Sequence, residues 1–372
     1  MPMRSRLLPV FALSASLVFP PVAAQDPVPF ITGEDRFMIF ANGRFEKLEP
    51  RPPQRVFPMN EQVVYLDHDG GLKAFFAEGR RLHYLQAEGV GAVKFTRNRI
   101  AWNKRDTLMT LRDGRAVMLA RNVEDFSVSD SLIVVHDSAH HELNVLWQGR
   151  TIALALVERG SEKPQWTQAG NTVTFFNKEA RSLFLFYRGV VRVLCDSTDV
   201  GIVATGSDLV GYWDGKKREF RAMYRGDDRF LADLRPMSAK MGDGILGFVD
   251  GTGMLKCFAN GEVRTLTSGI PSGYWVQDSL LMFLHDGQLQ LFRPTGGTMK
   301  VENYVPERWQ VHGGDLVYLD INRELHGIIS GERVRFGNEA NIATFDLFGG
   351  SVLYPSPTGL TTVLRNGRTY TF

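Results

Sequence analysis

Tyr274-Trp275-Val276-Gln277-Asp278-Ser279-Leu280-Leu281-Met282-Phe283-Leu284-His285-Asp286-Gly287-Gln288-Leu289-Gln290-Leu291-Phe292 holds three strand-length runs separated by two turns. A third turn, Pro294-Thr295-Gly296-Gly297, leads into Thr298-Met299-Lys300-Val301. Short apolar or alternating runs joined by turns of two to five residues rich in Gly, Asp, Asn and Pro are the mark of antiparallel hairpins. Four strands therefore fit into about 36 residues. No helical stripe interrupts the pattern after residue 24.

The unit recurs along the chain. A glycine closes the same phrase at Gly43, Gly79, Gly114, Gly149, Gly189, Gly226, Gly261, Gly296, Gly331 and Gly367, with gaps of 36, 35, 35, 40, 37, 35, 35, 35 and 36 residues. A fixed period of this length belongs to repeat architectures. The second strand of each unit narrows the choice: Val63-Val64-Tyr65-Leu66, Leu132-Ile133-Val134-Val135, Ile245-Leu246-Gly247-Phe248-Val249 and Leu316-Val317-Tyr318-Leu319 are continuously apolar. A strand with one face in water alternates, so an unbroken apolar run means that both faces are covered. In a β-propeller each four-stranded blade lies between two others, which supplies that cover. The reading is an all-β propeller of nine to ten short blades in one ring, with two smaller propellers in tandem as the alternative. Nine units show all four strands. The first, Phe37 to Leu48, shows only the last two, and Pro50, Pro52, Pro53 and Pro58 follow it as a stiff segment. The one insertion falls near Val157 to Lys163.

Residues 1–24 read as a signal peptide: Arg4 and Arg6, an apolar stretch from Leu7 to Phe19, and small residues at Val22-Ala23-Ala24. Cleavage after Ala24 leaves residues 25–372 as the propeller, exported to the periplasm or beyond, with no membrane-spanning segment. That remainder carries 41 basic and 41 acidic residues and no basic patch, which argues against nucleic-acid binding. Cys195 and Cys257 are too few for a disulfide framework and read as buried, unpaired thiols.

Units such as Val63-Val64-Tyr65-Leu66-Asp67-His68-Asp69-Gly70-Gly71-Leu72, continuing to Gly79 and Leu85, resemble the WD40-like and TolB-like propeller repeats of bacterial envelope proteins. The resemblance spans nearly all of residues 25–372, although the Trp-Asp signature of WD40 repeats is missing. It implies a disc with a central channel and a mostly non-catalytic binding role.

Chemistry-bearing motifs are sparse. Gly242-Asp243-Gly244-Ile245-Leu246-Gly247 fits the G-x-G-x-x-G string but enters a strand, where no helix N-terminus can receive a pyrophosphate. The turn His136-Asp137-Ser138-Ala139-His140-His141-Glu142 concentrates metal-ligating side chains, and Asp67-His68-Asp69-Gly70-Gly71 starts like a calcium loop without its later ligands. Both read as polar turns, so no metal or other cofactor is expected. Asn60, Asn98, Asp130, Asn171, Asp208, Asp243, Asp278 and Asp315 precede the apolar second strands and read as turn formers. Phe126, Trp166, Tyr274, Trp275 and Trp309 lie near the starts of innermost strands, by the channel mouth. If exposed they would suit recognition of a protein or glycan; otherwise they seal the core. The expected function is an exported, non-enzymatic binding or scaffold module, against the alternative of a polysaccharide hydrolase or lyase with acids drawn from several blades.

Overall fold

The computed structural model describes residues 26–157, 164–196, 199, 201, 203–337 and 339–372. The predicted signal peptide and most of the predicted insertion lie outside these residues. Nine antiparallel sheets of four strands follow one another in the chain, from residues 55–86 to residues 346–371, and a three-stranded sheet at residues 28–49 precedes them. Each sheet is built from contiguous residues in simple meander order.

The apolar side chains collect into ten clusters among the described residues, one for each contact between consecutive blades. The second strand Gln62–Leu66 shows how one strand serves two of them. Val63 and Tyr65 face the first blade, while Val64 and Leu66 face the third. Successive side chains of a strand point to opposite faces, so the continuous apolar run fills two interfaces at once. The tenth cluster joins Val28, Phe30, Met38 and Phe40 of the first blade to Leu353 and Val363 of the last. The ring is therefore single and closed, with ten blades, and the tandem alternative falls away.

Among the described residues, closure involves no exchange of strands between the two ends. Phe40 packs on Phe45 (5.0 Å between centroids) and on Tyr370 (4.7 Å), and Phe30 meets Phe372 edge to face at 5.9 Å. The Arg365 guanidinium lies 5.2 Å from the centre of the Phe40 ring and donates to the Asp26 carbonyl.

Two details of the first blades differ from expectation. Val28–Ile31 is a strand pairing with Phe37–Ala41, so the first blade has three strands among the described residues rather than two. Pro58 lies inside the innermost strand of the second blade, Arg55–Met59. Both Pro29 and Pro58 occupy edge strands of their sheets, where a missing N–H leaves an edge, not an interior, bond unmade.

The periodic glycine does what its position requires. Asn42-Gly43, Asp113-Gly114, Asn260-Gly261 and Asn366-Gly367 each have two successive positive φ angles, the two-residue turn whose twist matches the flanking strands. Gly296 is the exception: its neighbour Gly297 takes the positive φ, at 74°. Cys195 and Cys257 are free and buried, with burial pushing their thiols up to about 11 and about 12, so neither is a nucleophile at neutral pH.

Candidate functional site

In a four-stranded meander the first and third turns of every blade come out at one end of the ring. The middle turns and the blade-to-blade connections come out at the other. The two ends are chemically different.

At the first end the Asn and Asp side chains form a belt. Asn60 Nδ2 donates to Asn98 Oδ1 at 2.7 Å, and Asn98 Nδ2 donates to Asp130 Oδ2 at 3.1 Å. Thr96 Oγ1 donates to the other oxygen of Asp130, and Ser129 Oγ donates to the Gly170 carbonyl at 2.6 Å. Asn171 Nδ2 reaches Asp208 Oδ1 at 3.4 Å, and Asp278 Oδ2 accepts from the Gly313 N–H at 2.8 Å. Asp26 joins the series, its Oδ1 accepting from the Glu61 N–H at 3.1 Å. Each of these bonds crosses from one blade to the next. Local turn chemistry accounts for only part of the series, since only Asp208 and Asp278 of the eight predicted turn formers have positive φ. Stitching between blades accounts for Asn60, Asn98, Asp130 and Asn171, while Asp315 Oδ1 accepts from the Ser330 N–H of its own blade at 2.9 Å.

One bond crosses the ring itself. Arg97, in the first turn of the third blade, pairs with Asp278, in the first turn of the eighth, at 2.7 Å. These blades stand opposite each other, so the pair pinches the channel at this end. Around it, burial and then the nearby Asp278 charge raise the Asp243 carboxyl, with Arg97 opposing. Burial and then Arg97 lower His312, with Asp278 opposing, which favours its neutral form. The glycine string serves the same contact. Asp243 N–H donates to the Asp278 carbonyl at 2.6 Å, and a Cβ on Gly242 would run into that carbonyl oxygen. A Cβ on Gly247 would meet Leu281 at 2.6 Å. These glycines let blades approach closely.

The other end carries the apolar loops. Leu234, Met237, Ile270, Val305, Ile321 and Leu360 are exposed, and all lie in middle turns or blade connections. Among the described residues, no exposed large apolar side chain lies in a first or third turn. Leu234 and Ile270 flank one turn of the seventh blade, beside Gly251 and Gly253 respectively.

The five predicted aromatics divide by burial. Phe126 and Tyr274 are buried, and each ring has a lysine ammonium near it, Lys94 at 5.1 Å and Lys240 at 4.4 Å. Trp166, Trp275 and Trp309 are half-buried. Trp275 and Trp309, from adjacent blades, meet edge to face at 5.9 Å. Trp166 opens the strand Trp166–Ala169, and its Nε1 donates to Ser127 Oγ at 2.6 Å. It lines a depression of about 550 Å³ at the channel mouth on the apolar-loop end.

The metal-like turns resolve into caps. Asp67 Oδ1 accepts from the Gly71 and Asp69 N–H groups at 2.7 and 3.1 Å. His136 is buried in the strand Leu132–Asp137, while His140 is exposed and bonds Asp137 Oδ2 at 2.9 Å. A set absent from the sequence reading, Asp320, Glu324 and His326, brings its ligand atoms within 4.8 Å of one another. Glu324 Oε2 is paired with Arg335 at 2.7 Å, and Asp320 Oδ1 caps the Asn322 and Glu324 N–H groups at 2.9 and 2.8 Å. That is a turn cap joined to an ion pair.

Asp250 is the same kind of cap with a titration consequence. Burial would raise its carboxyl, but Lys256 at 2.7 Å, the Thr252 hydroxyl and N–H, and the Met254 N–H outweigh it and hold the group at about 2. A depressed folded pKa contributes stability above the ordinary value of 3.8 and loses it as pH falls toward about 2. Urea denaturation across that window should show wild-type stability dropping. Asp250→Asn should be less stable at neutral pH and flatter across the window; an equally steep curve in the variant would remove Asp250 from the acid response.

The model of the 10-bladed beta propeller domain matches this chain over residues 22–370. No curated protein sequence matches it. Among solved structures it is similar to apo AztD from Citrobacter koseri, at 12% identity over 84% of this chain and 94% of that one, with a TM-score of 0.41. The computationally designed Ika8 protein matches at 13% over 74% and 96%, with a TM-score of 0.34. The tricorn protease matches at 10% over 92% of this chain and 46% of its own, with a TM-score of 0.33. Ten contiguous sheets, one core per interface and the matched span lead to one conclusion: the chain belongs to the 10-bladed beta propeller domain family.

Proposed function

We propose that this is an exported, non-enzymatic scaffold that docks a protein partner on the end carrying the apolar loops. The observation behind the reading is the asymmetry of the two ends. Exposed Leu234, Met237, Ile270, Val305, Ile321 and Leu360 share one of them, and the other is polar and stitched. Apolar side chains held at the tips of rigid loops are suited to contact with another protein. The hydrolase or lyase alternative would draw on acids gathered at the channel, and the belt does gather them. Both oxygens of Asp130 accept hydrogen bonds from Thr96 and Asn98, and Asp278 Oδ2 is shared by Arg97 and Gly313, which suits structure better than proton transfer. Export rests on the amino-terminal pattern, and the mature protein is expected to begin at Gln25.

Partner capture from envelope extract, followed by affinity measurement with the purified partner, tests the docking. Leu234→Glu and Ile270→Glu should each weaken binding by about tenfold or more, because a charge is then buried in an apolar contact. Arg225→Glu, in a third turn at the belt end, should leave binding unchanged. Equal losses from all three would place the contact elsewhere. Self-association that the same two substitutions abolish would make the partner a second copy and overturn the reading.

A further inference from the structure

We infer that the depression around Trp166 is a binding site for an uncharged saccharide. Its lining takes Lys94, Asp125, Trp166 and Val203 from the innermost strands of four consecutive blades, and Thr174, Phe176 and Leu183 from the second and third strands of the fifth, so it reaches from the channel wall into the fifth blade. Its volume of about 550 Å³ falls within the roughly 300–1,000 Å³ that small-ligand sites occupy.

Two aromatic surfaces and a fixed set of polar groups share this space. The Trp166 indole is anchored through Nε1 to Ser127, which sets the orientation of the ring. Phe176 is 38% exposed at the same lining and lies on the opposite face of its strand from the buried Phe175 and from Trp166, so the depression reaches round the inner edge of the fifth blade. Such rings offer flat faces to the C–H face of a sugar, and fixed hydrogen-bonding groups beside them answer its hydroxyls. Those groups are present. The hydroxyls of Thr167 and Thr174 lie 2.6 Å apart, and Lys94 and Asp125 form an ion pair at 3.0 Å with both side chains about two-fifths exposed. The ammonium and the carboxylate largely cancel, so the site offers donors and acceptors without net charge. That balance favours a neutral polyhydroxylated ligand over an anionic or cationic one. A peptide aromatic side chain would use the rings but leave the ion pair and hydroxyls unanswered, at the cost of desolvating them.

The site is independent of the docking rim: none of Leu234, Met237 or Ile270 lines it. Calorimetric titration and tryptophan fluorescence with maltotriose, cellotriose and triacetylchitotriose, with trigalacturonate as the charged control, test the inference. At least one neutral trisaccharide should bind in the millimolar range or tighter and perturb the indole emission. Trigalacturonate should bind more weakly. Phe176→Ser, with its fold checked by circular dichroism, should weaken binding about five- to tenfold, the loss of one aromatic contact. Trp166→Ala should weaken it at least as much. Absence of binding by all three neutral probes, preference for trigalacturonate, or full affinity in Phe176→Ser would each overturn the assignment. None of these results bears on partner docking, which is read by the rim substitutions.

Discussion

Replacing Phe40 with alanine is expected to lower the unfolding free energy by about 3–5 kcal/mol, the range for deleting a fully buried phenylalanine. Phe40 is completely buried in the seam between the first and last blades, against Leu353, Val363, Phe45 and Tyr370. What singles it out is the absence of chain continuity there. Every other interface joins blades that follow one another in the chain, whereas this one is held by side-chain packing and a few polar contacts such as Arg365 to the Asp26 carbonyl. Cavity formation at the seam should therefore loosen the two chain ends before the rest of the ring. Chemical denaturation measures the cost, and hydrogen exchange should show residues 28–49 and 346–371 losing protection first. A penalty near 1 kcal/mol, or uniform loss of protection, would show that the join is not the critical interface.

Gly242→Ala carries the second large expectation, about 1–3 kcal/mol of destabilisation from overpacking. Gly242 has no need of a left-handed backbone; it needs the absence of a side chain. The Asp278 carbonyl oxygen occupies the place a Cβ would take, with Val276 and Ile245 at 3.0 and 3.1 Å, so the turn of the seventh blade must move away from the eighth. The move breaks the Asp243 N–H bond to Asp278 and shifts the partner of Arg97. Gly244→Ala makes the comparison clean. Its added methyl meets open space, and the cost is the positive φ of 69°, on the order of 1–2 kcal/mol. If the two variants lose the same stability and both keep native chemical shifts at Asp278, close approach is not what Gly242 provides.

The sequence disclosed the architecture because the architecture is periodic. A turn glycine and a doubly apolar strand, repeated every 36 residues or so, each have one strong physical explanation, and the two agree. Val28–Ile31 carries Pro29 and has no apolar run of the length seen in the other second strands, and a proline is tolerated there because the strand lies on an edge. The belt was legible as a row of Asn and Asp but not as stitching, since its bonds join groups about 35 positions apart in neighbouring repeats. Arg97 and Asp278 lay further out of reach: 181 positions separate them, and only closing the ring makes them neighbours. Among the aromatics, Phe126 and Trp166 look alike in the sequence. Burial separates them, and burial depends on which residues the adjacent blade brings.

Since no sheet is shared between the beginning and the end of the described chain, the circle has no clasp that fixes its size. A duplicated unit could slip in as one more wedge, and the terminal surfaces would still find each other through the same aromatic faces. The number of wedges is then a matter of how each pair of faces is angled, which leaves the molecule open to growth or loss by whole units.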